Sequence, residues 1–202
     1  MIKVGDRVPF ANLPTRENGE WAYKNTDDFF KDKKVVLFAL PGAFTPTCST
    51  YQLPGFDESY DAFIENGIDD VICLSVNDTF TMNAWFKELG IKNVTPLPDG
   101  NGHITKGFGM SVSKTNLGFG DRSWRYAAII NDGVVEQLFV EEGFVNEATE
   151  DPYNESTPEN VLEFLVVQDT FEEIKSDPDA DVERQLELNL SDNLDIKENF
   201  GS

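Results

Sequence analysis

Cys48 closes the segment Pro41-Gly42-Ala43-Phe44-Thr45-Pro46-Thr47-Cys48, which follows directly on the apolar run Val35-Val36-Leu37-Phe38-Ala39-Leu40. A buried-type strand gives way to a Pro/Gly/Thr turn, and the cysteine falls where the next helix should begin. Only the thiolate of cysteine is a good nucleophile, and a free thiol with a pKa of about 8.5 is mostly protonated at neutral pH. A helix N-terminus carries roughly half a positive charge and unsatisfied N–H groups, so it favours a thiolate placed there. The hydroxyl of Thr45, three residues back, has the reach to donate to that sulfur or to a bound oxygen. The chemistry these residues point to is nucleophilic attack by one activated sulfur.

The elements that must position this sulfur read as α/β. Residues 34–40 form a β-branched and apolar run, as expected of a strand buried on both faces. The helix after Cys48 should run to about Glu65, with Pro54-Gly55 kinking or splitting it, and should end at Gly67. The strand around Cys73, residues 70–76, completes a strand–helix–strand unit. That places the reactive turn at the carboxyl end of the first strand, the edge where open α/β sheets hold their sites. Upstream, Trp21-Ala22-Tyr23 reads as a short strand and Thr26-Asp27-Asp28 as the cap of a short helix through Phe29-Phe30. Downstream, Asn77-Asp78-Thr79 should start a helix over residues 80–89 that stops at Gly90. Leu97-Pro98-Asp99-Gly100 is a turn after a short strand, and residues 104–110 make a helical turn or two. Residues 123–130 and 134–140 flank Asn131-Asp132-Gly133, strong turn chemistry, and read as an antiparallel hairpin. Thr157-Pro158-Glu159 opens a last helix, with proline at its first position.

Composition limits the functions open to the chain. At 202 residues and 22.7 kDa it is ample for one domain with an appendage. Sixteen Lys and Arg against 37 Asp and Glu leave a formal charge of −21, which excludes nucleic-acid binding by a basic patch and adhesion to an anionic membrane. The acids are scattered, as a soluble surface has them. No apolar run approaches the roughly 20 residues of a membrane span. The first residues, Met1-Ile2-Lys3-Val4-Gly5-Asp6, lack a secretory pattern, so the cytoplasm is the expected compartment. Two cysteines make no disulfide framework. Cys73, inside Val71-Ile72-Cys73-Leu74, reads as a small hydrophobe, with a disulfide to Cys48 as the alternative. The single histidine, His103, gives no metal-ligand set, and no glycine-rich phosphate loop points to a nucleotide cofactor.

PGAFTPTCS resembles the PxxxTxxC active-site signature of the peroxiredoxins, in the form typical of the peroxiredoxin 5 (type II) subfamily. The resemblance runs from about Val4 to about Leu165. It takes in Gly5-Asp6, Leu53-Pro54-Gly55-Phe56, Asn77-Asp78 and Arg125-Tyr126-Ala127. It implies a thioredoxin-like fold with a central mixed sheet flanked by helices. It also implies a thiol peroxidase acting on hydrogen peroxide and alkyl hydroperoxides, with Cys48 as nucleophile passing to a sulfenic acid. Thr45 would hold the thiolate and substrate oxygens in line, Pro41 would shield the sulfur, and Arg125 would supply the cation. Gly42, Phe44, Thr47, Leu117 and Phe119 are the candidate pocket residues. The segment at Phe119-Gly120 would lie near a homodimer contact.

Some members of the family carry a resolving cysteine after the late hairpin, but residues 141–146 contain none. Nor does Cys-x-x-Cys occur, so no fused glutaredoxin or thioredoxin is expected. The resemblance then implies a one-cysteine cycle completed by an outside thiol, glutathione with or without glutaredoxin, or else thioredoxin. A peroxide-sensing relay that oxidises a partner protein, and a binding module with an incidental cysteine, are the other readings. The domain is expected over residues 1–176, followed by an acidic extension over 177–202. In that extension Leu186, Leu188 and Leu190 alternate with Glu187 and Asn189 like a half-exposed strand. Truncation after Ser176 is expected to preserve the rate of Cys48 oxidation while lowering the melting temperature or shifting a dimer equilibrium. Unchanged melting and sedimentation would make the extension a solvated appendage, and loss of peroxide reactivity would put it in the site.

Overall fold

The computed structural model describes residues 1–176. Five strands form one mixed sheet in the order β5-β4-β3-β8-β9: β3 is Lys34–Ala39, β4 Asp70–Ser75, β5 Thr95–Pro98, β8 Tyr126–Asn131 and β9 Val134–Val140. β3, β4 and β5 are parallel, and β8 joins β3 and β9 antiparallel. The thioredoxin-like reading holds. β3 is central, and Val35 to Leu40 are fully buried, as an unbroken apolar run in a strand covered on both faces requires.

Alternation along β3 divides the core. Val35, Leu37 and Ala39 join a cluster with Phe29, Phe30, Ile72, Leu74, Phe108 and Tyr126. Phe38 points the other way and stacks on Phe56 at 4.1 Å between ring centres and 4° between planes, with Phe56 continuing to Phe63 at 5.8 Å. Phe56 belongs to α2, Leu53–Glu58, and Phe63 to α3, Tyr60–Glu65. These two helices therefore lie against one face of the strand that leads into the cysteine turn.

Several details differ from the sequence reading. A strand β1, Asn12–Glu17, pairs with β2, Glu20–Asn25, as a separate two-stranded ribbon. Helix α1, Thr26–Phe30, is capped by Asn25 rather than Thr26: the Asn25 side chain accepts from the Asp27 N–H, and the Asp28 carboxylate accepts from the Asn25 N–H, both at 2.8 Å. The helical segment after the cysteine breaks at Ser59 (φ −87, ψ 2), not at Pro54-Gly55. Pro54 lies directly after the π-turn Cys48–Gln52, inside a helical run that continues unbroken from residue 46 to Glu58. The run 123–130 is split as well. Ser123 ends β7, Asp121–Ser123, which pairs with β6, Ser111–Ser113, while β8 starts only at Tyr126. Helix α4, Thr79–Leu89, meets expectation with Asp78 as cap and Gly90 (φ +67) as stop. Residues 103–107 form the short helix α5, His103–Gly107.

The chain divides into two compact units, Met1–Pro158 and the remainder from Glu159. All site residues described below lie in the first. The second begins in α6, Pro158–Ser176, within which the Thr170 hydroxyl donates to the Val166 carbonyl. The expected strand at 186–190 lies outside the described residues.

Candidate active site

The turn that carries Cys48 is held from the sheet edge. Asn77, just past β4, presents one side-chain oxygen to three donors. These are the Ala43 N–H at 2.9 Å, the Ser75 hydroxyl at 2.7 Å and Arg122 Nη1 at 3.4 Å. Arg122 also donates to the Pro41 carbonyl at 3.4 Å and, through Nε, to the Phe119 carbonyl at 3.0 Å, with its guanidinium 5.5 Å from the Phe119 ring centre. Partial burial pulls the Arg122 pKa down. Gly42 leaves room for this side chain, since a Cβ there would stand 2.8 Å from Arg122 Nη1. Phe44 adopts a left-handed φ of +64, uncommon for a bulky residue, which reverses the chain ahead of the helix. Its half-exposed ring lies 6.4 Å from that of buried Trp85.

Helical geometry starts at Pro46, so Cys48 sits within the first turn. From Cys48 to Gln52 the turn is a π-helix, in which the Leu53 N–H reaches the Cys48 carbonyl, five residues back. Cys48 and Gln52 are both wholly buried. Thr45 does not donate to the sulfur: its hydroxyl donates to the Gly42 carbonyl at 2.7 Å. A hydroxyl has one proton to give, so the Thr45 oxygen is left as an acceptor toward the site.

Arg125 supplies the charge. β8 pairs Tyr126 with Ala39 of β3, so the residue before Tyr126 comes beside the chain leaving β3 toward the cysteine turn. Its side chain is only 1% exposed. Nη1 lies 3.5 Å from Cys48 Sγ and also donates to Gln52 Oε1. Nη2 donates to Asp151 Oδ1 at 2.5 Å, and the guanidinium lies 5.7 Å from the Tyr153 ring centre. Burial works against the guanidinium charge, yet the Cys48 sulfur and Asp151 outweigh it and the pKa is raised. A buried cation persists when its charge is matched and most of its donors are used. Arg125 Nε and Gln52 Nε2 are buried without a partner, leaving donor capacity in the resting cluster.

The loop that brings Asp151 is anchored by Glu141, a buried carboxylate just past β9. Its side chain accepts from the N–H groups of Asn154, Glu155 and Ser156 and from the Ser156 hydroxyl, at 2.8 to 3.0 Å. Its backbone N–H donates to the Arg125 carbonyl at 3.3 Å, and its carbonyl accepts from the Trp124 indole at 2.8 Å. Arg125 and the Asp151 loop thus share one anchor.

Of the expected residues, the fold brings Arg125 onto the Cys48 sulfur, while Pro41, Gly42 and Thr45 lie in the turn that leads to it, with Thr45 bonded to Gly42 and Pro41 to Arg122. Thr47 enters the helix without a side-chain capping bond. Phe119 is joined to the turn through Arg122, whereas Leu117 stands exposed at the end of the 3-10 turn Thr115–Leu117, apart from the hydrogen-bonded cluster. Gln52, Asn77, Arg122, Glu141 and Asp151 were not singled out for these roles from sequence. Only Gln52 had a usable signal, its place four residues after Cys48 on the same helical face. Cys73 faces Phe38 across β3 and β4, is fully buried and unpaired, and its thiol pKa is pushed well up by burial and then by the charge on Cys48. A cavity of about 360 Å³ lined in part by Trp21, Asp78, Phe80 and His103 contains none of these residues. Among the described residues no cluster of three or more His, Cys, Asp or Glu could hold a metal, and no helix is long and apolar enough to cross a membrane.

The chain that holds this sulfur against a buried guanidinium is similar to known proteins along most of its length. The family model described as Redoxin matches residues 3–156. The chain belongs to the Redoxin family. It is 54% identical over 178 residues to a peroxiredoxin of Sinorhizobium fredii (y4vD), covering 84% of this chain and 95% of that one. Among solved structures, the Plasmodium falciparum antioxidant protein, a 1-Cys peroxiredoxin, superposes with a TM-score of 0.79 at 38% identity, covering 81% of this chain and 98% of that one. Reduced Prx3 of Vibrio vulnificus in complex with hydrogen peroxide gives 0.74 at 38% identity, with 82% and 99% covered. The protein is a peroxiredoxin, a thiol-dependent peroxidase.

Asn77→Ala should release the cysteine turn of this peroxiredoxin, leaving the Ala43 N–H, Ser75 hydroxyl and Arg122 without their shared acceptor. The Ser75 hydroxyl is the buried partner among these, and leaving it unmet costs about 1–3 kcal/mol. Urea unfolding should show a loss of stability, and stopped-flow oxidation of Cys48 should slow. Unchanged values in both would mean that Asn77 does not hold the turn.

Proposed function

We propose that this peroxiredoxin, of the type II subfamily, reduces hydrogen peroxide and alkyl hydroperoxides by a one-cysteine cycle, with glutathione, with or without glutaredoxin, as reductant. The observation that carries the reading is the contact of Arg125 Nη1 with Cys48 Sγ at 3.5 Å, while the second thiol is sealed in the sheet. The Cys48 thiolate attacks the nearer peroxide oxygen, the O–O bond breaks, and two electrons pass from sulfur to oxygen. The leaving hydroxide or alkoxide takes a proton as water or alcohol, and Cys48 becomes a sulfenic acid. Arg125 steadies the thiolate before attack and the charge spreading onto oxygen during it. Thr45, its own proton given to Gly42, accepts from the peroxide O–H, and Pro41 keeps water off the sulfur.

Resolution by an outside thiol follows from where the cysteines are. Residues 141–157 contain none, and Cys73 would have to leave the centre of the sheet to reach the sulfenic acid. One glutathione displaces water to give a mixed disulfide on Cys48. A second attacks it, releasing oxidised glutathione and the free thiol. The name of the Plasmodium protein, a 1-Cys peroxiredoxin, supports this cycle, and the hydrogen peroxide bound to the Vibrio protein supports the substrate. We place the enzyme in the cytoplasm as a homodimer with Phe119-Gly120 near the contact, and read thioredoxin as the second candidate reductant.

Cys48→Ser should abolish glutathione-dependent peroxide turnover, while Cys73→Ser should keep most of it. Equal loss in both variants would make Cys73 the resolving residue and end the one-cysteine reading. Stoichiometric Cys48 oxidation without turnover by glutathione, glutaredoxin or thioredoxin would favour the relay instead.

A further inference from the structure

Arg125 is held at both ends of its guanidinium, and only one end meets solvent. The Nη1 side touches Cys48 and Gln52, both wholly buried, whereas the Nη2 side is closed by Asp151, whose side chain is 42% exposed. With Cys48 as thiolate, the three charged groups Cys48, Arg125 and Asp151 carry −1, +1 and −1, so the cluster is net negative. Without Asp151 it would be neutral. The carboxylate is not there by chance of a free loop. Three consecutive N–H groups at residues 154 to 156 are tied to Glu141, whose backbone N–H is bonded to Arg125.

We infer that Asp151 is a specificity-determining positioning residue that selects uncharged peroxides over anionic ones. It acts through Arg125, without touching substrate, and the inference rests on the peroxidase reading of the site. A neutral hydroperoxide meets this cluster without charge repulsion and uses the N–H groups that Asp151 leaves oriented. An anionic peroxide must approach a net negative cluster in a poorly hydrated site, and must compete with a carboxylate for Nη2. The selection is electrostatic, so it is expressed in the ratio of rates for the two substrate classes and not in the rate for either alone.

The test compares single-turnover oxidation of Cys48 by hydrogen peroxide, which is neutral, and by peroxymonosulfate, an anion at neutral pH. Asp151→Asn should raise the peroxymonosulfate-to-peroxide rate ratio by about tenfold or more. Asp151→Glu, which keeps the charge, should return it toward wild type. Glu20→Gln, at the exposed end of β2, removes the same charge far from Arg125 in contact terms and should leave the ratio unchanged. A ratio unmoved by Asp151→Asn, or moved equally by Glu20→Gln, would overturn the inference while the peroxidase reading stands. A thermal melt of each variant separates selection from unfolding, since equal slowing with both oxidants alongside a lower melting temperature would also overturn it. Failure of the wild-type Cys48 to react with either oxidant would remove the peroxidase reading itself, and the inference with it.

Discussion

A guanidinium taken almost wholly out of water sets the terms for the rest of the site. Burying a cation is costly unless charge and hydrogen bonds replace its hydration, and Arg125 obtains both from Cys48, Gln52 and Asp151. The pairing that keeps the arginine charged also sets a cation against the Cys48 sulfur, so one interaction holds the fold and furnishes the site. This matters in a chain of formal charge −21, where the average field opposes any further anion. A local cation must outweigh that background, and burial makes it effective because its field is screened less.

The scaffold exists to bring three distant segments to that guanidinium. Pairing of β3 with β8 sets Arg125 beside the chain leaving the central strand. The π-turn places Cys48 and Gln52 together on the inner side of the helix. Asn77 ties the intervening turn to the end of β4, and Glu141 fixes the returning loop to the backbone of Arg125. Phe38, stacked on Phe56, packs the strand before the turn against the helix after it, so neither can shift alone.

What the sequence revealed was what is local. Thr45 and Cys48 lie three residues apart, and their chemistry can be read from residue type and spacing, whereas Pro41 takes its role from the resemblance. Cys73 declared itself structural by its apolar strand. Arg125 was reached only through resemblance, because nothing near Ser123-Trp124 marks it as other than a surface cation. Asp151 and Glu141 were hidden, since their partners are set by a loop that returns across the fold. Pro54-Gly55 misled because the π-turn just before it carries the helix through the proline, and the break falls at Ser59. Asn25 and Thr26 are both good capping residues, and only the capping box with Asp28 decides between them. Thr45 has the right length to reach the sulfur, but its own carbonyl neighbour at Gly42 takes the proton.

Arg125 reaches Cys48, Gln52 and Asp151 together, and we propose that this forked geometry, beyond its charge, makes Cys48 react. The most direct measurement is single-turnover stopped-flow oxidation of reduced protein by hydrogen peroxide, comparing wild type with Arg125→Lys. Lysine keeps the charge but offers a point donor that cannot serve sulfur, Gln52 and Asp151 together. The expected rate constant is lower by a factor of about ten or more, equivalent to about 1.4 kcal/mol or above in the barrier. A lysine variant that reacts as fast as wild type, with unchanged folding, would contradict it.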